Sequence, residues 1–247
     1  MVRIITALIA ALALSTSGLN SQQIPTTIDL DFRVFGVGND NFEGLYYFDG
    51  QAYKALDFHK VSRSTATYAY KGVLNFGLYI KNSEYIPTNQ NSKQYSRVAS
   101  ENVPININIG LWVIHANPQN NSPTQTKRKF ELYFINDEKS HFVRNSILIV
   151  NATGRELMGR VGTTNISLPS GISKPISYPE NPRGKITRLA FALQTEQGAR
   201  LVMSNDIQLS NNRRIVIVLM PPSDPNSMRI GMRKLSQSIY EEEVAPE

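Results

Sequence analysis

Apolar side chains recur at every second position along most of this sequence, and that period decides what the chain can fold into. Within residues 105–116, Ile105, Ile107, Ile109, Leu111 and Val113 alternate with Asn106, Asn108, Gly110 and Trp112. Successive side chains of an extended backbone point to opposite faces, so this run reads as a long strand with one face turned inward. Residues 28–35, 44–49, 65–71 and 73–80 are rich in aromatic and β-branched side chains and are separated by Gly, Asn, Asp or Ser. They read as further strands.

The second half has the same texture. Residues 130–135, 146–150, 165–168, 186–193, 200–204 and 214–220 read as strands, with turn residues between them. Residues 215–220 are apolar without alternation and should be covered on both faces. The halves also echo one another: residues 31–38 with 146–153, 74–80 with 187–193, and 107–117 with 213–220. Such internal similarity is what a tandem duplication leaves behind.

A chain of 247 residues exceeds the usual single-domain size, and 41% hydrophobic content with only 19% charge is enough for packed cores. The expectation is an all-β protein of two tandem immunoglobulin-like β-sandwich domains, residues 24–118 and 126–222. A polar linker at 119–125 joins them, and a C-terminal arm or helix follows at 223–247. In that arm Met228, Met232, Leu235 and Ile239 make one helical stripe after Asp224-Pro225, a pairing that suits a helix start. The stripe packs on its own domain or docks a partner. Residues 83–100 are polar and read as an irregular insertion.

The first 21 residues carry Arg3, an apolar run from Ile4 to Leu14 and then small residues, the pattern of a signal peptide. That run is too short to cross a bilayer, and no later stretch is long and apolar enough to do so. The expected location is therefore periplasmic or extracellular. The chain has no cysteine, which excludes thiol nucleophiles, disulfides and Cys-ligated metals.

The formal charge is +6; without Arg3 it is +5, and setting aside Glu241, Glu242, Glu243 and Glu247 leaves +9 on residues 22–240. A basic body attracts acidic polymers. The basic residues are scattered in small groups, Lys127-Arg128-Lys129, Arg213-Arg214 and Arg229, Arg233, Lys234, which argues against nucleic acid.

Little in the sequence suggests catalysis. His59, His115 and His141 lack metal-ligand spacing, and no G-x-S-x-G elbow is present. Asp29 with Asp31 on one strand face, or Asp137-Glu138 in a turn, could serve acid and base roles in a glycosidase, but strand-start and turn acids are ordinarily solvated. Gly36-x-Gly38 lacks the third glycine of a phosphate loop and reads as a bulge or turn. The aromatic residues are the suggestive feature: Tyr46, Tyr47, Phe48 and Tyr53 cluster, as do Tyr68 and Tyr70, with Phe76 and Tyr79 beyond. Such rings stack on sugars or peptide anchors where exposed, and Tyr68 and Tyr70 read as core.

The phrases 146–157 (SILIVNATGREL), 168–171 (LPSG) and 213–218 (RRIVIV), with 44–47 (GLYY), Arg63-Ser64 and 68–72 (YAYKG), resemble an uncharacterised family of exported bacterial proteins. Periplasmic pilus chaperones are similar in size, charge and architecture but share no signature segment. The resemblance implies no known activity. The expected function is a non-enzymatic envelope protein without cofactor or metal, catalytic residues none, that binds a partner protein or a cell-surface polymer. The alternative is a carbohydrate-active or other hydrolytic enzyme.

Overall fold

The computed structural model describes residues 27–38, 42–59, 62–88, 93–116, 130–179, 186–224 and 226–238. The expected signal peptide and linker lie outside the described residues. The protein is all-β: among the described residues there is no helix, and the strands form four sheets.

The first half supplies β1 (Thr27–Val37), β2 (Leu45–Phe48), β3 (Tyr53–Ala55), β4 (Tyr68–Val73), β5 (Asn75–Lys81), β6 (Tyr95–Asn102), β7 (Ile109–Ala116) and β8 (Phe130–Asn136). They build sheet I in the order β4-β1-β7-β8 and sheet II in the order β3-β2-β5-β6. The second half supplies β9 (Ser146–Asn151), β10 (Leu157–Val161), β11 (Thr164–Leu168), β12 (Gly171–Ile172), β13 (Ile176–Ser177), β14 (Ile186–Thr195), β15 (Gly198–Gln208), β16 (Arg213–Met220) and β17 (Gly231–Ser238). Sheet III runs β12-β9-β16-β17, with β13 also on β9, and sheet IV runs β11-β10-β14-β15.

If β12 stands for β4, the two halves have one topology. In each, the first strand pairs in parallel with the last but one, β1 with β7 and β9 with β16. The bulge between Leu78 and Tyr79, where β5 meets β6, has its counterpart between Phe191 and Ala192, where β14 meets β15. The three segment pairs matched in sequence correspond to β1 with β9, β5 with β14 and β7 with β16.

Period-two alternation sorts the side chains into three cores. Leu30, Phe32, Val34, Tyr47, Phe76, Leu78, Trp112 and Ile114 fill the space between sheets I and II. Ile147, Ile149, Leu189, Phe191, Ile215, Ile217 and Leu219 do the same between sheets III and IV. The opposite faces of the central strands meet in a middle core of Phe35, Val37, Leu111, Val113, Phe142, Leu148, Val150, Val216, Val218 and Leu235. Sheets I and III therefore pack on one another, and β1, β7, β9 and β16 are buried on both sides. Sheet faces packed in this way exclude water from roughly every apolar side chain they carry.

Several sequence expectations need correction. The residue 105–116 run is not a strand with one polar face: β7 starts at Ile109, and Trp112 is fully buried. The polar Asn106 and Asn108 precede the strand. The segment 130–135, which by sequence is open to either side of the boundary, pairs with β7 from Leu111 to Ala116 and belongs to sheet I. The insertion at 83–100 is strand from Tyr95 onward, paired to β5.

The expected C-terminal helix is also a strand. Residues 231–238 pair antiparallel with β16 from Met220 to Arg213. The free edge of a strand buried on both faces leaves unmet backbone donors and acceptors, and pairing satisfies them, whereas Gly231 weakens a helix. Asp224 caps a turn, its carboxylate accepting from the Asn226 amide at 2.9 Å. Ile239 lies outside the described residues.

Candidate binding surfaces

A cleft of about 710 Å³ opens where the two halves meet. Its charged lining comes from Asp31 and Arg33 of β1, Arg63 of the β3–β4 connection, Asp137, Glu138 and Lys139 after β8, and Arg214 of β16. Arg63 is held in place by its neighbour: the Ser64 amide donates to the Val34 carbonyl at 2.7 Å, and the Val34 amide donates to Ser64 Oγ at 3.1 Å. The Asp137 amide donates to the Ile109 carbonyl at 2.9 Å, which fixes the acid beyond the end of β8.

At the floor of the cleft lies a buried charge network. Arg214 Nη2 donates to Asp137 Oδ1 at 2.5 Å, and the two side chains are only 7% and 4% exposed. Arg214 Nη1 donates to the carbonyls of Asp137 and Phe142, both at 3.0 Å, and Nε donates to Gln237 Oε1 on β17 at 2.7 Å. Its guanidinium carbon sits 4.9 Å from the centre of the Phe142 ring. Arg63 Nη1 reaches Asp137 Oδ2 at 3.3 Å. Burial pushes the Asp137 carboxyl up from its ordinary value, against the pull of the Arg214, Arg63 and Arg33 guanidiniums. Burial also pushes the Arg63 and Arg214 guanidiniums down. This network ties the loop after β8 to β16 and β17 and so bolts the halves together beside the middle core.

The sequence-derived candidates divide accordingly. Asp137, read as a solvated turn acid, is buried, because the arginine that neutralises it arrives from 77 positions away. Glu138 keeps a structural task, Oε1 accepting the Asn108 amide at 3.0 Å. Asp29 pairs with Lys71 at 2.9 Å on the open surface, while Asp31 lines the cleft. The histidines lie apart: His59 and His141 are exposed, and His115 is buried at the end of β7. No group of three or more His, Asp or Glu among the described residues could hold a metal. Gly36 lies inside β1 against Phe42 and Phe58, and Gly38 ends it at φ +124°.

The aromatic residues separate into two sets. Tyr47, Tyr68 and Tyr70 are core, as expected of the latter two, with their hydroxyls bonded: Tyr47 and Tyr70 donate to the carbonyls of Ala69 and Val73, and Tyr68 accepts the Asp57 amide. Tyr46, Phe48, Tyr53, Tyr79 and Tyr95 form a contiguous cluster on the outer face of sheet II. Tyr53 and Tyr95 come from its opposite edge strands and stack at 4.0 Å and 13° over the strands between them. Tyr46 meets Tyr95 edge-on at 5.1 Å, Tyr79 meets Tyr53 at 5.0 Å, and Phe48 lies 5.2 Å from Tyr53. Phe48 and Tyr53 are each 38% exposed. In register with Tyr79 and Tyr95 stand Arg97 and Lys81, both exposed.

The corresponding outer face of sheet IV has no ring. It presents Met158 and Arg160 of β10, Arg188, Ala190 and Ala192 of β14, and Leu201 of β15. The bulge places Ala192 where the first half has Tyr79. Among the described residues no helix is long and apolar enough to cross a membrane. Comparison with family models and with curated proteins finds no match.

Proposed function

We propose that this is an exported, non-enzymatic binding protein of two immunoglobulin-like repeats, which holds an acidic cell-surface polysaccharide on the outer face of sheet II. The observation that carries this reading is the asymmetry between the halves. One fold is built twice, and the copy with alanines and Met158 on its outer face encloses its core as fully as the copy with five rings. The rings are therefore not needed to build a sheet pair of this kind. Exposed rings on a rigid sheet present flat apolar area at low entropic cost, which suits stacking on sugar rings. Arg97 and Lys81 beside the cluster favour a polymer bearing carboxylates. Export rests on the pattern of the first 21 residues, and membership of an exported bacterial family rests on the sequence phrases already given.

A hydrolytic reading would draw on the carboxylates of the cleft, where Asp137 is pushed up by burial. Against it, both Asp137 oxygens are engaged by guanidiniums, and Glu138 is committed to a backbone amide. An acid so engaged is poorly placed to deliver a proton.

Affinity electrophoresis in gels containing polygalacturonate, alginate or neutral glucan tests the binding. The acidic polymers should retard the protein, and Tyr53→Ala and Tyr79→Ala should abolish retardation while leaving the urea midpoint within error. Retardation unchanged by both substitutions would remove sheet II from the function. Fractionation tests export: a cytosolic product retaining residues 1–21 would refute it.

A further inference from the structure

We propose that the cleft between the halves is a separate binding site for a small organic acid, whose carboxylate is received by Arg33 and Arg63. Four cationic side chains line the cleft against three carboxylates, a surplus of one positive charge that a singly charged ligand would balance. The surplus is concentrated. Arg33, Arg63 and Arg214 surround the lone buried carboxylate of Asp137, while Asp31, Glu138 and Lys139 stand around it.

The donors divide clearly. Arg214 spends Nε, Nη1 and Nη2 inside the protein. Arg63 gives Nη1 to Asp137 and keeps its other nitrogens, and its side chain remains 27% exposed. Arg33 gives Nε to Thr67 Oγ1 at 3.1 Å and keeps both terminal nitrogens. A planar carboxylate matches the forked geometry of such guanidiniums better than a point charge does. Half-exposed Ile109 and the Gly110 backbone add apolar wall, and the volume is that of a small-molecule site. The ligand class is accordingly a monocarboxylate with an apolar body.

The full chain titrated calorimetrically with benzoate, benzamide and inorganic phosphate tests the assignment. Benzoate should bind saturably, with benzamide and phosphate at least about tenfold weaker, the worth of one charge-assisted hydrogen bond. Arg33→Gln, outside the buried network, should weaken benzoate at least about tenfold with an unchanged urea midpoint, and Arg63→Gln should weaken it similarly. No saturable benzoate binding, benzamide or phosphate binding as well as benzoate, or Arg33→Gln leaving affinity intact would each overturn it. Polysaccharide retardation by sheet II is unaffected by any of these outcomes, so the two readings fail separately.

Discussion

Replacing Arg214 with alanine should be among the most damaging single substitutions in the protein. The side chain provides four hydrogen bonds at 2.5–3.0 Å, to Asp137 Oδ1, two main-chain carbonyls and Gln237 Oε1. Its loss leaves the Asp137 carboxylate buried with Arg63 bonded to it at 3.3 Å and Arg33 acting through charge alone. Stranding one member of a buried pair costs about 3–5 kcal/mol, and each stranded neutral acceptor adds up to about 1–3 kcal/mol where water cannot enter. Because such terms overlap, about 4 kcal/mol is the expected loss, read as a lowered urea midpoint with unchanged m. Asp137→Ala should cost a similar amount, and the double variant far less than the sum, since it leaves no unpaired charge. The exposed pair Arg188–Asp206 is the control, and Arg188→Ala should leave the midpoint where it was. A loss below about 1 kcal/mol for Arg214→Ala would mean that water reaches the network and that it does not bolt the halves.

Three further outcomes follow from the geometry. The one tryptophan, Trp112, stacks on Phe76 at 4.6 Å in the first half and so reports on that half, whereas far-UV circular dichroism reports on both. With a shared middle core the two urea transitions should coincide, and separated midpoints would refute that coupling. The Lys54 ammonium at 2.6 Å, followed by the Ala52 and Gln51 amides that donate to Oδ1, holds the Asp49 carboxyl down to about 2. Its contribution to stability is therefore complete above the unfolded value near 3.8 and disappears as pH falls through about 2; NMR titration of that carboxyl gives the check, and a midpoint near 3.8 would rule it out. Gly50→Ala should destabilise by at least roughly 1–3 kcal/mol from its φ of +101° alone, with a collision against the Lys71 carbonyl added, measured as a drop in urea midpoint; a neutral substitution would contradict the turn.

What was legible in the sequence was whatever depends on local period. Alternation gave most of the strands but not β3, β6, β10, β12, β13 or β17, and the uninterrupted apolar run at 215–220 correctly implied a strand covered on both sides. The spacing of Met228, Met232 and Leu235 misled because steps of four and three fit two geometries. On a helix they share a stripe; on a strand an even step keeps the face and an odd one reverses it. Accordingly Met232 joins the core between sheets III and IV, and Leu235 joins the middle core. Choosing between these required the unpaired edge of β16, which local sequence does not contain. Asp137 was illegible for a related reason: its burial depends on Arg214, and nothing in the residues around Asp137 announces that partner.

The stacking of the sheets narrows where function can reside. Sheets I and III give one face to their own sheet partner and the other to each other, so along most of their length their central strands have no side left for a ligand, the exception being where Asp31, Arg33 and Ile109 open into the cleft. What remains is the outer faces of sheets II and IV, the edge strands and the seam. The repeated topology then supplies an internal control, because equivalent positions experience the same strand pairing and the same bulge with different side chains. Where both copies keep apolar residues, as at Leu78 and Phe191, packing explains the choice. Where they diverge, as at Tyr79 and Ala192, packing is satisfied either way, which is why the ring is proposed to serve a ligand outside the protein.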